Sequence, residues 1–247
     1  MNQHEANRDR AALQVRRNEE IFSADGGWFR ARWHFSFDQY HNPKNMGIGT
    51  LRVFNHDTLM PGAIWPMHPH RDVEGITYVV AGEFEHADSL GNGGVLYPGG
   101  VQRMRLGTGA EHSERNHSPS SEMQFLQLWI LPSEQGLEPS VEQRQYQEAD
   151  RLNKLLQVLR PEGSDEQGIG VYQDARIYVS RLEDGASIEH EVPPGHGGYF
   201  YLVQGRLDLN ADALASGDAA YIRDGGYLSI NARTTCELIL VDTILEA

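Results

Sequence analysis

Gly75-Ile-Thr-Tyr-Val-Val-Ala-Gly82 is matched, 198 − 75 = 123 residues later, by Gly198-Tyr-Phe-Tyr-Leu-Val-Gln-Gly205. Each stretch is a run of β-branched and aromatic residues bounded by glycines, the composition of a buried strand that ends in a turn. The offset persists beyond the strand: Tyr78 meets Tyr201, Gly82 meets Gly205 and Gly94 meets Gly217. Strand, glycine turn, strand, glycine turn, strand therefore occurs twice without a gap, which points to two related β units in one chain. The expected division is residues 1–138 and 139–247 of the 247.

Working outward, short β-rich runs alternate with Gly, Pro, Asn and Asp, as in an all-β sandwich or barrel. Expected strands in the first half are Thr50–Phe54, Gly75–Val80, Glu83–His86, Gly94–Leu96, Met104–Leu106 and Met123–Leu131. In the last of these Leu126, Leu128 and Ile130 share one face, and Phe125, Gln127 and Trp129 the other. Asp88-Ser-Leu-Gly-Asn-Gly93 reads as a hairpin turn. The polar segment Asn7 to Phe22 reads as a short surface helix, and Pro132–Gln147 as a connection between units. The stretch Val141 to Leu159 is rich in Gln, Glu, Arg and Leu, so local propensity favours helix for part of it.

Composition narrows the chemistry. Lys and Arg total 21 against 35 Asp and Glu, a formal charge of −14. A surface this acidic repels phosphate backbones, so direct nucleic-acid binding is not expected, although a basic surface on a protein partner could dock. With one cysteine, Cys236, neither a disulfide framework nor a thiolate-rich metal site can form. Cys236 lies in an apolar run and is expected to be buried and inert. Neither a signal-peptide pattern nor a membrane-length apolar run is present, so the expectation is a cytoplasmic protein with no membrane contact.

Imidazole is the remaining soft ligand, and the 11 histidines do not carry equal weight. His68 and His70 flank Pro69, and at strand spacing both rings point to one side. His112-Ser113-Glu114 repeats the spacing of two with one imidazole and one carboxylate. Together His68, His70, His112 and Glu114 make a candidate site for one divalent transition metal: iron, copper, nickel, cobalt, manganese or zinc. An octahedral shell built on them keeps up to two positions open. At the offset of 123, His68-Pro69-His70 falls on Glu191-Val192-Pro193, so the second unit lacks the pair. His4 and His41 read as solvated, His86 as a surface residue, His117 as a loop residue and His34 as a buried, hydrogen-bonded group. His190 and His196 have no partner at ligand spacing.

These stretches resemble a known family. Gly62, His68-x-His70, Glu74 and Gly82 look like the first cupin motif, and Gly94-Val-Leu-Tyr-Pro98-Gly-Gly100 like the start of the second. More narrowly, His68-Pro-His-Arg-Asp-Val-Glu74, Glu85-His-Ala-Asp-Ser-Leu-Gly-Asn92, Gly107-Thr-Gly-Ala-Glu-His-Ser-Glu114 and Gln127-Leu-Trp-Ile-Leu-Pro132 are similar to the pirin family. Trp33-His-Phe-Ser-Phe37 and Asn42-Pro43 fit its opening segment. The resemblance is strong over about residues 25–150 and weaker beyond.

The resemblance implies a bicupin, two β-barrels of jelly-roll type, with metal in the N-terminal one only. It carries the family's ligands onto His68, His70, His112 and Glu114, with iron placed first among the metals. It makes Glu74 a supporting residue rather than a ligand, and it fits Arg103 at the position where other cupins have a second-motif histidine. It also implies that 155–159 is a strand, against propensity. One departure is Trp65-Pro66-Met67, bulkier than the family pattern, which would narrow the pocket mouth.

Bacterial members are associated with quercetin 2,3-dioxygenase activity. The resemblance thus implies a metal-dependent dioxygenase that opens the heterocyclic ring of a flavonol and releases carbon monoxide. Its partners would be a small aromatic substrate and dioxygen; chemically, Glu114 could accept the substrate's proton if it leaves or loosens from the metal. Phe35, Phe37, Phe84, Phe125 and Trp129 are candidate pocket walls. Two alternatives stand beside it: a non-enzymatic metal or redox sensor acting through a regulatory protein partner, and an enzyme with a different substrate on the same fold.

Overall fold

A computed structural model of the chain describes residues 9–245, of which 22 segments are strands. The strands assemble into four sheets, two of seven strands and two of four. In the first half the large sheet runs, edge to edge, Ser140–Gln145, Gly100–Arg105, Glu74–Ala81, Met123–Ile130, Leu51–Leu59, Phe29–Trp33 and Phe22–Asp25. Its small companion is Ile64–His70, Ala110–Asn116, Phe84–Asp88 and Gly93–Leu96. The second half repeats this order, with His196–Gln204 in the place of Glu74–Ala81 and Ser187–Val192 in that of Ile64–His70. The two quoted stretches thus hold equivalent positions, and Gly82 and Gly205 end them at φ +81° and +96°. There a Cβ would meet backbone atoms of Glu122 and Thr235 at 2.7 and 2.5 Å, so both positions demand glycine.

Each half is an all-β cupin-type sandwich of jelly-roll kind; its sheets stay open and do not close into the expected barrel. The alternation in Met123–Ile130 explains the layering. Leu126, Leu128 and Ile130 enter a core that also takes Phe54, Ile76 and Tyr78 from the first large sheet and Val179, Tyr199, Tyr201, Ile239 and Val241 from the second. The two large sheets are therefore joined face to face by apolar burial, worth about 1.5–3 kcal/mol for each large side chain. On the opposite face, Met123 and Phe125 pack with Leu59, Val79, Phe84 and Leu96 inside the first sandwich.

Two segments depart from the sequence-based expectation. The N-terminal segment holds the strand Leu13–Arg16 and a one-turn 3-10 helix at Asn18–Glu20; its first residues, like His4, lie outside the described residues. Leu13–Arg16 pairs with Ala219–Ile222 of the second half, Leu13 and Val15 pack on that half's core, and the guanidinium of buried Arg16 donates to the His34 carbonyl. Tertiary pairing overrides helix propensity here. The supposed connection Pro132–Gln147 contains the strand Ser140–Gln145, paired with Gly100–Arg105 of the first half. Each large sheet thus takes an edge strand from beyond its own half. Of Val141 to Leu159, the helix keeps only Glu148–Arg151, and Leu156–Pro161 is the strand that the resemblance implied.

Candidate metal centre

Strand Ile64–His70 lies antiparallel to Ala110–Asn116, with His112 opposite His68 and Ala110 opposite His70. Because both histidines on the first strand point to the same side, the three rings meet. Their centroids are 4.8 Å apart for His68–His70, 4.5 Å for His68–His112 and 5.3 Å for His70–His112. One ring nitrogen from each lies within 4.8 Å of the other two. A register shift between His112 and Glu114 sets Glu114 opposite Trp65. The Glu114 carboxylate stands outside the imidazole cluster and approaches it through His112, with Oε1 3.4 Å from Nδ1.

The donor set fits a divalent cation. Both ring nitrogens of buried His112 lack a hydrogen-bond partner among the described residues, a costly state for polar atoms away from water that a cation would relieve. The Nδ1 of His68 faces the Pro66 carbonyl at 2.8 Å, which fixes the proton there and leaves Nε2 with its lone pair. Burial, with the positive fields of His68, His70 and His86, pushes His112 down to about 3. Burial and His68 push His70 down to about 4. Both rings are therefore neutral, the form that binds metals. On the acidic side, burial and Asp57 push the Glu114 carboxyl up to about 8, and burial alone does the same to Asp57. A cation beside them would restore the carboxylate form.

The cluster opens into a cavity of about 950 Å³. His68, His70, Glu114 and Asp57 border it, and its walls carry Trp28, Phe29, Trp33, Phe37, Trp65, Phe125 and Trp129. The Trp129 ring lies 4.6 Å from His70, and Trp28 and Trp65 meet edge to face at 4.4 Å. Trp65 and Pro66 are on the wall while Met67 is exposed. Among the five expected aromatic walls, Phe37, Phe125 and Trp129 line the cavity. Phe35 instead packs on Tyr199 in the central core, and Phe84 packs on Phe125 inside the sandwich.

Asn55, Asp57 and Gln127 line the cavity and were missed. Their signal was alternation: Val53, Asn55 and Asp57 share one face of Leu51–Leu59, as Phe125, Gln127 and Trp129 share one face of theirs.

Other residues fall as follows. His86 is buried rather than at the surface: on Phe84–Asp88 it shares the inward face with Phe84, stands opposite Glu114, and has its ring 6.1 Å from that of His112. Glu74 takes no part in the cluster; it accepts the Tyr172 N–H at 2.7 Å and faces Arg105 at 3.4 Å, at the seam with the second half. Arg103 donates to the Gly170 carbonyl at that seam. His34 is buried with Nδ1 2.9 Å from the Tyr199 hydroxyl, and His41 is exposed. His117 pairs with Glu85, His190 packs on Tyr178, and His196 sits between Asp242 and Asp174. In the second half, Glu191 and Val192 occupy the strand equivalent to that of the histidine pair.

Comparison with known proteins agrees with this architecture. Residues 14–130 match the model of the Pirin family, and residues 157–243 match the model described as a quercetinase C-terminal cupin domain. The chain is 36% identical over 224 residues to a pirin-like protein of Caulobacter vibrioides, covering 91% of this chain and 96% of that one. It is 35% identical over 232 residues to a quercetin 2,3-dioxygenase of Escherichia coli, covering 93% and 98%. The crystal structure of the bacterial pirin YhhW from Escherichia coli in complex with nickel(II) superposes with a TM-score of 0.87 at 33% identity, over 94% of this chain and 99% of that one. With both halves matched, and relatives above 30% identity along nearly its whole length, the chain belongs to the pirin family.

Proposed function

We propose that this chain is a metal-dependent dioxygenase that opens the heterocyclic ring of flavonols such as quercetin, with release of carbon monoxide. The observation that carries the reading is the convergence of three imidazoles, two of which, His68 and His70, border a large, aromatic-lined cavity together with the buried carboxyl of Glu114. His68, His70, His112 and Glu114 would hold one divalent transition metal, with iron placed first. The names of relatives support the substrate class, and the nickel(II) complex of YhhW supports a divalent ion. The division into a metal-bearing unit, 1–138, and a ligand-free unit, 139–247, belongs to this proposal, with one edge strand crossing each way.

A divalent ion in that position supplies Lewis acidity and a meeting point for substrate and dioxygen. The chain's own residues do the rest. The aromatic walls accept a flat polycyclic ligand and exclude water from it. Glu114, held as the carboxylate by a cation beside it, would accept the proton of the flavonol 3-hydroxyl once it loosens from that ion, and its buried surroundings raise the proton affinity of the freed anion. Asp57 faces the same cavity and favours proton uptake at Glu114 through like-charge repulsion. Asn55 and Gln127 offer amide groups to the ligand's remaining oxygens.

The test is oxygen uptake by metal-replete protein with quercetin, with carbon monoxide measured in the headspace. Stoichiometric consumption of both substrates supports the assignment. A fully loaded protein that consumes no oxygen overturns it.

A further inference from the structure

A second cavity, of about 350 Å³, lies between the two halves. It uses the reverse faces of the two strands that wall the aromatic cavity. On Leu51–Leu59, Asn55 and Asp57 face the aromatic cavity, whereas His56 and Thr58 face this one. On Phe29–Trp33, Phe29 and Trp33 face the first and Arg32 the second. The second half contributes Tyr201, Val203, Ser216 and Gly217.

Its polar groups are mostly donors. Arg32 has no carboxylate partner among the described residues; its side chain makes one hydrogen bond, 3.4 Å long, to the Ile21 carbonyl. Its positive field reaches His56 and Tyr201. The His56 Nδ1 faces the Tyr201 hydroxyl at 2.8 Å, with Gln124 beside the ring. The hydroxyls of Ser23 and Thr58, also on the wall, have no partner among the described residues. The nearby acids are already engaged. Asp218 accepts from Arg17 at 2.8 Å and from the Asn18 N–H at 2.9 Å, and Glu122 holds Arg30 at 2.9 Å on the exposed rim. A half-buried guanidinium without a counterion, next to free hydroxyls in a chain of charge −14, is arranged to receive an anion.

We infer that this cavity binds a small oxyanion, phosphate or carboxylate, anchored by the guanidinium of Arg32 and bonded by the Ser23 and Thr58 hydroxyls. All three anchors stand on strands of the first half, and Tyr201 and Ser216 of the second half border the same cavity. The inference does not depend on the chemistry of the aromatic cavity.

Calorimetric titration of the full-length protein tests it, with inorganic phosphate in one arm and succinate in the other. Saturable binding is expected in at least one arm, and the tighter arm identifies the source as a phosphate or a carboxylate. Arg32→Gln should weaken that binding by about tenfold or more, while Arg115→Gln at an exposed position leaves it unchanged. Absence of saturable heat in both arms, or equal affinity in Arg32→Gln, overturns the inference. If Arg32→Gln does not fold, NMR of the wild-type histidine rings decides. The His56 resonances should shift on addition of the anion while those of exposed His41 stay, and unmoved His56 resonances overturn it.

Discussion

His112 is the direct antiparallel partner of His68, and their rings stand 4.5 Å apart across the strand pair. Cross-strand pairing, rather than a loop, sets this distance, so the cluster is as rigid as the sheet that carries it. In the metal-free chain the pairing has a cost, because it buries two imidazole nitrogens of His112 that have no hydrogen-bond partner among the described residues.

That cost makes a two-sided prediction. His112→Leu should lower the metal content, measured by elemental analysis, from about one ion per chain to near zero, and should lower quercetin-dependent oxygen uptake by at least about a hundredfold. The same variant should unfold at a urea concentration no lower than the metal-free wild type, since it removes an unsatisfied buried group. Retention of metal by His112→Leu would count against the proposed ligand set.

Trp65 lines the cavity and touches both Trp28 and Phe29, at 4.4 and 4.8 Å between ring centroids. Trp65→Ala opens this cluster without reaching the imidazoles. Steady-state kinetics should show KM for quercetin raised by about tenfold, with metal content unchanged. Bulkier flavonol glycosides should gain relative to quercetin in kcat/KM. An unchanged preference between the two would show that Trp65 does not set the width of the mouth.

Acid stability depends on a histidine far from the imidazole cluster. Burial pushes His56 down from 6.5 to about 4. Between these values the unfolded chain binds a proton that the folded chain does not, so stability falls as pH drops from 6.5 towards 4 and is unaffected by this group above 6.5. The full loss is about 3–4 kcal/mol, from 2.5 pH units at about 1.4 kcal/mol each. Urea unfolding at pH 7 and pH 4.5 should show a smaller drop for His56→Gln than for the wild type. Equal drops would mean that the ring gains its proton in the folded state as readily as in the unfolded one.

Much of this was written in local sequence. The strand pattern of Met123–Ile130, the turn at Asp88 to Gly93 and the spacing of His68, His70, His112 and Glu114 all lie within windows of a few residues, where a period of two can be read directly. What escaped depended on distant partners. The strand Ser140–Gln145 is polar and half exposed, and becomes a strand only because Gly100–Arg105 offers it an edge. Leu13–Arg16 likewise needs Ala219–Ile222, some two hundred residues away. His86 was legible and was misread. Phe84, His86 and Asp88 alternate with Glu85 and Ala87, and the apolar Phe84 marks their shared face as the buried one. The cavity itself was not legible, since its walls are assembled from both sheets of the sandwich and from the chain around Phe37 and Met46.

The seam between the halves carries a buried charge pair whose loss should be felt globally. Glu237 accepts from Arg151 at 2.8 Å and from the Tyr78 hydroxyl at 2.5 Å, with both charged side chains 4% exposed. Tyr78 belongs to the first large sheet and Glu237 to the second, so the cluster joins the two halves. Glu237→Ala leaves the Arg151 guanidinium buried without its carboxylate, a change that costs about 3–5 kcal/mol. The double variant Glu237→Leu with Arg151→Met removes both charges and fills the space with apolar groups, so it should recover much of that loss. Urea denaturation curves of the three proteins provide the comparison. A double variant as unstable as Glu237→Ala would show that the hydrogen bond from Tyr78, rather than the charge pair, holds the seam.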